Sequence, residues 1–342
     1  RAAGSMASED GASRRKRLCR ALHSHMRTEL EWALGVLSVN AYAASNFVEP
    51  HVELDEAVVG ALARFLQRLV TDPGHIATGA LLAIEADCED NISANASVAL
   101  SILHNYTHVP HLANIAAHCP GLSVALASCL RSGAKPVARQ GLLVLENLAR
   151  LMPMSPEHAP NLLRALEHVA RAQPLPRETK ASLLKVVALL SNSNGDLIAS
   201  LFSGLLELHL LDLLASPAPE HQESALHFVV EACQASAALQ KRLGEDRGVV
   251  EALVRLLCQH EHDLRQAMTA KALRFLLNPH SRALQPRLRR FEHDVVALSI
   301  SLAASANPDM LADLARVLAF MGGARGARGS GSPLRGELVA AA

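Results

Sequence analysis

The sequence is short of aromatic residues: one Trp, two Tyr and seven Phe stand among 342 residues, while half of the chain is apolar. Strands favour aromatic and β-branched side chains, whereas helices favour Ala and Leu, so this composition disfavours an all-β fold and predicts helix. An excess of charge is also lacking, because 33 basic residues balance 33 acidic ones. A global field that attracts nucleic acid or an anionic membrane is therefore excluded, and charge-driven binding must be local.

Membrane, secretion and metal signals are missing as well. No apolar run reaches the length of about 18 residues that a membrane span needs, and residues 1–13 lack the order of a signal peptide. We therefore expect a soluble, unsecreted chain with no membrane partner. The cysteines form no C-x-x-C pair, which argues against a zinc knuckle or a disulfide scaffold and predicts mostly small buried apolar residues. They are Cys19, Cys88, Cys119, Cys129, Cys233 and Cys258.

An internal repeat organises the chain. The apolar row Ala99, Leu100, Ile102, Leu103 recurs with the same internal spacing, usually 42 residues further on. Such periods are typical of armadillo and HEAT repeats. The seven rows begin at Ala33, Ala99, Gly141, Leu183, Ala225, Ala272 and Leu314.

A second apolar stripe lies between the rows, and most prolines fall between stripes. Its members recur every 43 residues: Leu210, Leu253 and Val296, and Leu214, Leu257 and Ile300. Each repeat thus has at least two buried helices. Because one repeat cannot bury its apolar face alone, neighbours must stack, which predicts an all-α fold, an α-solenoid of about seven armadillo- or HEAT-like repeats.

The repeat pattern also sets the domain boundaries. We predict one armadillo-like helical domain over residues 14–320, with an insertion over residues 44–90 that contains a helix at 58–70. The acidic end of a second helix, residues 81–90, is either a solvated edge or an acidic docking site. Residues 1–13 and the Gly/Arg/Ser tail, residues 321–342, have too little apolar surface and are predicted to be disordered.

Catalytic and metal motifs are weak. Four histidines and a cysteine cluster in one segment: His104, His108, His111, His118 and Cys119. Pro110 and Pro120 interrupt it, so helix-end histidines are the preferred interpretation over a metal site. His260 and His262 are assigned to a polar loop. Since G-x-S-x-G, Walker and H-E-x-x-H motifs are lacking, we predict no enzyme, no cofactor, no metal and no small-molecule substrate.

Two basic segments are candidates for binding. Arg14, Arg15, Lys16 and Arg17 form a nuclear-import signal, a contact for an acidic partner or a solvated start of the first helix. The late group is Arg282, Arg287, Arg289 and Arg290, predicted to touch acidic protein or phosphate. Without interleaved aromatic residues, nucleic-acid contact is the weaker alternative there.

Asparagines recur two residues after a row's last member. They are Asn105, Asn147 and Asn278. We interpret them as helix C-terminal caps or loop braces. A peptide-binding asparagine ladder is the sharper alternative, but its usual tryptophan companions are lacking.

One segment resembles a known family. Residues 18–34, LCRALHSHMRTELEWAL, contain Glu29-x-x-Trp32-Ala33-Leu34 and resemble the start of the armadillo core in the ARID-type (Osa-like) subunits of SWI/SNF chromatin remodellers and their plant and fungal relatives. Residues 103–122 are similar to the family's second armadillo unit, and residues 278–282 to its late loop. The resemblance spans residues 14–320.

The resemblance implies a non-enzymatic nuclear scaffold. It would dock onto other subunits, including the ATPase-bearing module, with Glu29 and Trp32 and the late arginines as binding residues. Trp32 is equally interpreted as a core residue of the first repeat. No ARID domain lies within these 342 residues, so DNA binding by that domain is not carried over. The alternative is a cytoplasmic armadillo adaptor that binds an unrelated peptide or helical partner.

Overall fold

The fold is helical throughout its described parts. The computed structural model describes residues 2–24, 26–46, 55–71, 88–119, 121–153, 159–172, 174–259, 263–277, 283–302 and 308–322. Every regular element in these ranges is a helix, which confirms the predicted all-α fold. The chain forms two compact units, Arg1–Pro174 and Leu175–Ala342.

Unit 1 consists of two layers of helices. Its helices are α1 (Ala2–His23), α2 (Arg27–Ser45), α3 (Glu56–Thr71), α4 (Cys88–Thr107), α5 (Pro110–His118), α6 (Leu122–Arg131), α7 (Lys135–Leu148) and α8 (Ala159–Arg171). The helices that carry rows, α2, α4 and α7, pack successively on one another. A second layer, α3, α6 and α8, stacks in the same way, and α1 packs against α2 and α3.

Unit 2 repeats this arrangement. Its helices are α9 (Arg177–Leu201), α10 (Leu205–Leu214), α11 (Pro219–Ala235), α12 (Ala237–Glu245), α13 (Arg247–Leu257), α14 (Asp263–Leu276), α15 (Gln285–Leu288), α16 (Glu292–Leu302) and α17 (Pro308–Gly322), with a 3₁₀ turn at Arg289–Phe291. The row helices are α9, α11, α14 and α17, and each packs on the next. In the second layer α10 packs on α13. Helices stacked on successive neighbours define an α-solenoid.

The rows form the core of both units. All seven lie on helices, and most of their aliphatic members are fully buried. In α7, for example, Leu142, Val144 and Leu145 have no exposed surface. Burial is less complete in α17, where Ala315 and Leu318 are half-buried, since α17 is the last row helix of the described chain.

The second stripe is confirmed at four of its six positions. Leu210, Leu253, Leu214 and Leu257 are buried in α10 and α13. Val296 is only half-buried. The prediction of burial is wrong for Ile300, which is 53% exposed in α16.

Helix ends follow local chemistry. Pro110, Pro219 and Pro308 each open a helix, where the missing N–H costs nothing. The Ser236 and Asp246 side chains cap α12 and α13, each accepting a hydrogen bond from the backbone N–H three residues on, at 3.3 and 2.9 Å. These residues fix where each helix begins and so separate one stacked helix from the next.

Helix α9 bends at Asn194, whose backbone leaves the helical region at φ −137° and ψ 21°. The part beyond the bend approaches the start of α12 closely. A Cβ at Gly195 would overlap the Ser236 side chain, so only glycine allows this approach.

A partly buried ion pair braces unit 2. The Arg242 guanidinium on α12 binds both carboxylate oxygens of Glu207 on α10, at 2.5 and 3.0 Å. It also donates to the backbone carbonyls of Ala199 and Phe202. Bidentate geometry with further acceptors satisfies the desolvated charges, so the pair fixes how successive repeats are placed.

The structure describes only some of the segments predicted to lie outside the repeats. The helix predicted at 58–70 is α3, which lies in the second layer as an ordinary stacked helix. Residues 2–13, for which composition predicts disorder, lie in the first half of α1. Most of 44–55 and of 81–90, and residues 323–342, lie outside the described residues.

No single described helix is long and apolar enough to cross a membrane. Two pairs of consecutive helices pass that test when the two helices are taken together, by length and composition alone. The two helices of each pair meet at a bend, of 85° in one pair and 103° in the other. The pairs are α5 with α6, and α9 with α10.

The buried row in α7 gives a direct test of the stack. Replacing Leu142 by Asp places an unpaired charge in a fully buried position. We expect a loss of unfolding free energy on the order of 3–5 kcal/mol, or unfolding of the array, because a buried charge without a partner is strongly destabilising. Chemical denaturation followed by circular dichroism measures the loss.

Arg139→Asp on the same helix is the control, since Arg139 is exposed. It should change stability by less than about 1 kcal/mol. Equal stability of the Leu142 variant and the wild type would show that the row is not buried.

Candidate interaction surfaces

The N-terminal site is a shallow pocket between α1 and α2. Its lining residues are Arg17, Arg20, Ala21, Thr28, Glu29 and Trp32, around a volume of about 260 Å³. Trp32 is half-buried, and the Arg17 guanidinium lies 4.4 Å from the centre of its ring. Such a cation–π contact holds the indole in place with part of its surface open to solvent. The structure thus brings together the predicted residues Glu29, Trp32 and Arg17.

The basic segment of the first helix is mostly free to face solvent. Arg14, Lys16 and Arg17 are exposed on α1. Arg15 is instead paired with Asp55, 2.9 Å from its carboxylate, and ties α1 to the start of α3. The four residues therefore divide into one structural contact and three exposed cations.

The late arginines point to different partners. Arg287 is exposed on α15. Arg289 donates to the carbonyl of Met321 at 3.3 Å, near the end of α17. Arg290 binds the Glu251 carboxylate at 2.9 Å, and its guanidinium lies 4.7 Å from the Phe291 ring centre. Arg282 lies outside the described residues.

Glu251 is the centre of an arginine cluster, defined here as Arg247, Arg255 and Arg290. Arg247 and Arg255 lie on the same helix, α13, at 2.8 and 3.8 Å from the Glu251 carboxylate. The hydrogen bond from Arg247, with the charges of Arg290 and Arg255, holds the pKa of Glu251 below its usual range. Three guanidinium groups share one carboxylate, so the cluster keeps an excess of positive charge.

Arg247 and Arg255 are not among the binding residues predicted from the sequence. Arg247, Glu251 and Arg255 are spaced i, i+4 and i+8, which places them on one helix face. That spacing is visible in the sequence. The approach of Arg290, 39 residues beyond Glu251, follows only from the stacking of successive repeats.

The row helices of unit 2 carry a further set of exposed polar side chains in one register. Two residues after the first member of each row, all four helices hold an exposed basic or titratable side chain. The positions are Lys185, His227, Arg274 and Arg316. Asp313 accepts from Arg274 at 2.9 Å and lies 3.8 Å from Arg316, and the half-buried Glu223 and Glu231 lie one turn to either side on α11. In the same register unit 1 holds Gly35, Ser101 and Leu143.

The histidine segment is held by hydrogen bonds. His104 and His108 approach with their Nε2 atoms 3.3 Å apart, and Asn147 Nδ2 lies 3.4 Å from His104 Nδ1. Burial and the neighbouring His108 lower the pKa of His104. His118 contacts the carbonyl oxygen of Asn114 at 2.9 Å, as expected at a helix end. In the described ranges no three potential ligands are grouped as for a metal ion.

Asn147 acts as a brace between row helices. Its amide donates to Thr107 Oγ1 at 3.0 Å, across from α7 to the end of α4. This agrees with the predicted bracing role for that residue. Asn278 lies outside the described residues.

The described cysteines behave as apolar residues. Cys119, Cys129 and Cys233 are buried. Burial raises the pKa of Cys129 and of Cys233 to about 12, and that of Cys258 to about 11. These three thiols therefore stay protonated near neutral pH and are poor nucleophiles.

Solved structures share this architecture. A computationally designed armadillo-repeat protein for modular peptide recognition is 18% identical, with a TM-score of 0.53 over 75% of this chain and 98% of that chain. A designed armadillo-repeat protein in complex with peptide (KR)4 is 19% identical, with a TM-score of 0.53 over 76% and 98%. At such low identity the likeness defines the fold alone: the chain has an armadillo-like repeat core. No protein-family model matches it, and no curated protein sequence does.

The arginine cluster predicts a pH-dependent stability. Glu251→Gln removes the carboxylate shared by three arginines, so we expect a loss of about 1–2 kcal/mol at pH 7. A carboxyl group with a lowered pKa stabilises the fold above its unfolded pKa, near 4.3, and this stabilisation is lost as the pH falls through the folded value. The wild-type advantage should therefore shrink as the pH falls below about 4. Denaturation midpoints between pH 7 and pH 3 measure it.

Glu245→Gln, at an exposed position at the end of α12, is the matched control. It should follow the wild type at every pH. A Glu251→Gln protein that keeps wild-type stability at pH 7 would contradict the cluster's role.

Proposed function

We propose that this chain is a non-enzymatic scaffold that binds other proteins through the exposed faces of its repeats. The observation that carries the proposal is the repeated register of unit 2, in which successive row helices expose one side chain each at equivalent positions. A stack of repeats provides extended surfaces and few enclosed, water-free pockets. This geometry favours binding of elongated partners over catalysis.

The partners we propose are the other subunits of a SWI/SNF-type chromatin-remodelling complex, including its ATPase-bearing module. The support is the resemblance over residues 14–320, and above all the Glu29-x-x-Trp32-Ala33-Leu34 segment. This segment lies on α2 and contributes Glu29 and Trp32 to the N-terminal site. In this proposal the half-exposed indole is an aromatic anchor of the kind that dominates interface energies. The late arginines supply a second contact.

The proposed location is the nucleus. The support is the run of cations on α1, three of which are exposed. Exposed basic residues can be recognised by a carrier with an acidic surface.

A second candidate function is a cytoplasmic armadillo adaptor that binds an unrelated peptide. It is favoured by one observation, the similar fold of a designed armadillo-repeat protein in complex with peptide (KR)4. The two functions differ in cellular location and in the partners recovered.

Affinity purification of the tagged full chain from nuclear extract tests membership. We expect a remodeller ATPase among the recovered proteins, and at least a fivefold lower recovery with Glu29→Lys plus Trp32→Ala, because interface anchors carry about 2 kcal/mol or more. Quantitative mass spectrometry provides the readout.

The matched control is Glu31→Lys plus Tyr42→Ala. It changes an exposed acid and an exposed aromatic residue on the same helix, α2, outside the N-terminal site. Recovery without any remodeller ATPase would count against membership and leave the adaptor as the better account.

Imaging tests the location. Arg14→Ala plus Lys16→Ala removes two exposed cations from α1. We expect a lower nuclear fraction with an unchanged denaturation midpoint, since exposed charges contribute little to stability. The control is Arg139→Ala plus Arg164→Ala, two exposed arginines of unit 1. An entirely cytoplasmic wild-type protein would contradict the nuclear proposal.

A further inference from the structure

A groove runs between α10 and α13 in the second layer of unit 2. Its volume is about 430 Å³, and Leu211, Leu214 and Leu256 contribute apolar walls. Gly248 allows α13 to approach α10 closely at the groove, because a Cβ there would lie 3.1 Å from Leu211 Cδ1. Leu208 is 55% exposed and lies outside the groove, one turn before Leu211 on the same face of α10. These four leucines, Leu208, Leu211, Leu214 and Leu256, are called the leucine strip.

The arginine cluster forms one edge of this groove. Glu251 and Arg255 line the groove itself, while Arg247 and Arg290 bind the same carboxylate. All three arginine side chains are more than half exposed, whereas Glu251 is nearly buried. A ligand at this edge therefore meets mainly guanidinium groups, because only 11% of the Glu251 side chain is exposed.

Two carboxylates close to the groove are already occupied. Asp212 on α10 binds Arg177 at 3.1 Å and Lys180 at 2.6 Å. The Asp246 side chain caps α13. Two cations thus contact Asp212 and three contact Glu251, so cations outnumber the carboxylate in each of these two clusters.

We propose that this groove binds an acidic amphipathic segment of a partner protein, with apolar side chains on the leucine strip and carboxylates on the arginine cluster. The proposal rests on the scaffold function proposed above and names the chemistry of one partner. Arginine forks suit carboxylates, and a short helix with apolar residues at i, i+3 and i+4 fits a groove between two helices.

Other occupants fit less well. Nucleic acid would use the arginines but not the leucine strip, and none of the described residues that line the groove is aromatic, as base stacking would need. A basic peptide is repelled by the cluster. The combination of an apolar floor and a cationic edge therefore selects an acidic amphipathic chain.

The test is fluorescence anisotropy with the full chain and a labelled helical peptide of about 15 residues, with Leu at i, i+3 and i+4 and Asp or Glu elsewhere. We expect saturable binding with a dissociation constant in the micromolar range that weakens as salt is raised. Arg255→Glu should weaken binding about tenfold, as should Leu208→Asp. Both positions are exposed, so the variants should fold, which circular dichroism checks.

Matched controls are Arg164→Glu and Val98→Asp, an exposed arginine and an exposed apolar residue of unit 1. They should bind the peptide as the wild type does. Equal weakening by the controls, equal binding of a peptide with Ser in place of Leu, or full competition by single-stranded DNA would overturn the proposal.

The experiments distinguish failure of the groove proposal from failure of the scaffold proposal. A wild-type chain that recovers partner proteins but does not bind the peptide overturns the groove alone. A chain that binds the peptide in a groove-dependent manner but recovers no partner from extract overturns the scaffold proposal and supports the groove.

Discussion

The structure depends on the burial of aliphatic rows between successive helices. A single row helix cannot shield its own apolar face from water. Each row helix therefore buries that face against the next row helix along the chain. In unit 1 this links α2, α4 and α7, and in unit 2 it links α9, α11, α14 and α17. Polar braces such as the Arg242–Glu207 pair then fix the placement that burial alone leaves loose.

Stacking also determines which charged side chains lie next to each other on the surface. Residues one repeat apart in sequence become neighbours, which is how Arg290 reaches Glu251 and Arg274 reaches Asp313. Cations collected in this way are held by a few buried carboxylates and present their guanidinium groups to solvent. A locally cationic surface thus arises in a chain of zero net charge.

The sequence predicts the buried side of this fold better than its exposed side. The rows are visible because burial repeats with a helical period, and Pro110 and Pro219 fall at helix starts because proline is tolerated in the first turn of a helix. The burial predicted for Ile300 is wrong, since a periodic pattern does not show whether a neighbouring helix covers a given position. The spacing of Arg247 and Arg255 on one helix face can be predicted from the sequence. The contact of Arg290 cannot, because it depends on how two repeats pack.

Hydrogen–deuterium exchange on the full chain tests the central claim most directly. Leu226 lies on α11 and has no exposed surface, so Leu226→Ala should create a cavity at this position. If repeats stabilise their neighbours, exchange should rise in α11 and in α9 and α14, which pack on it, and less in α17. A uniform rise throughout unit 2, or a rise confined to α11, would contradict the account.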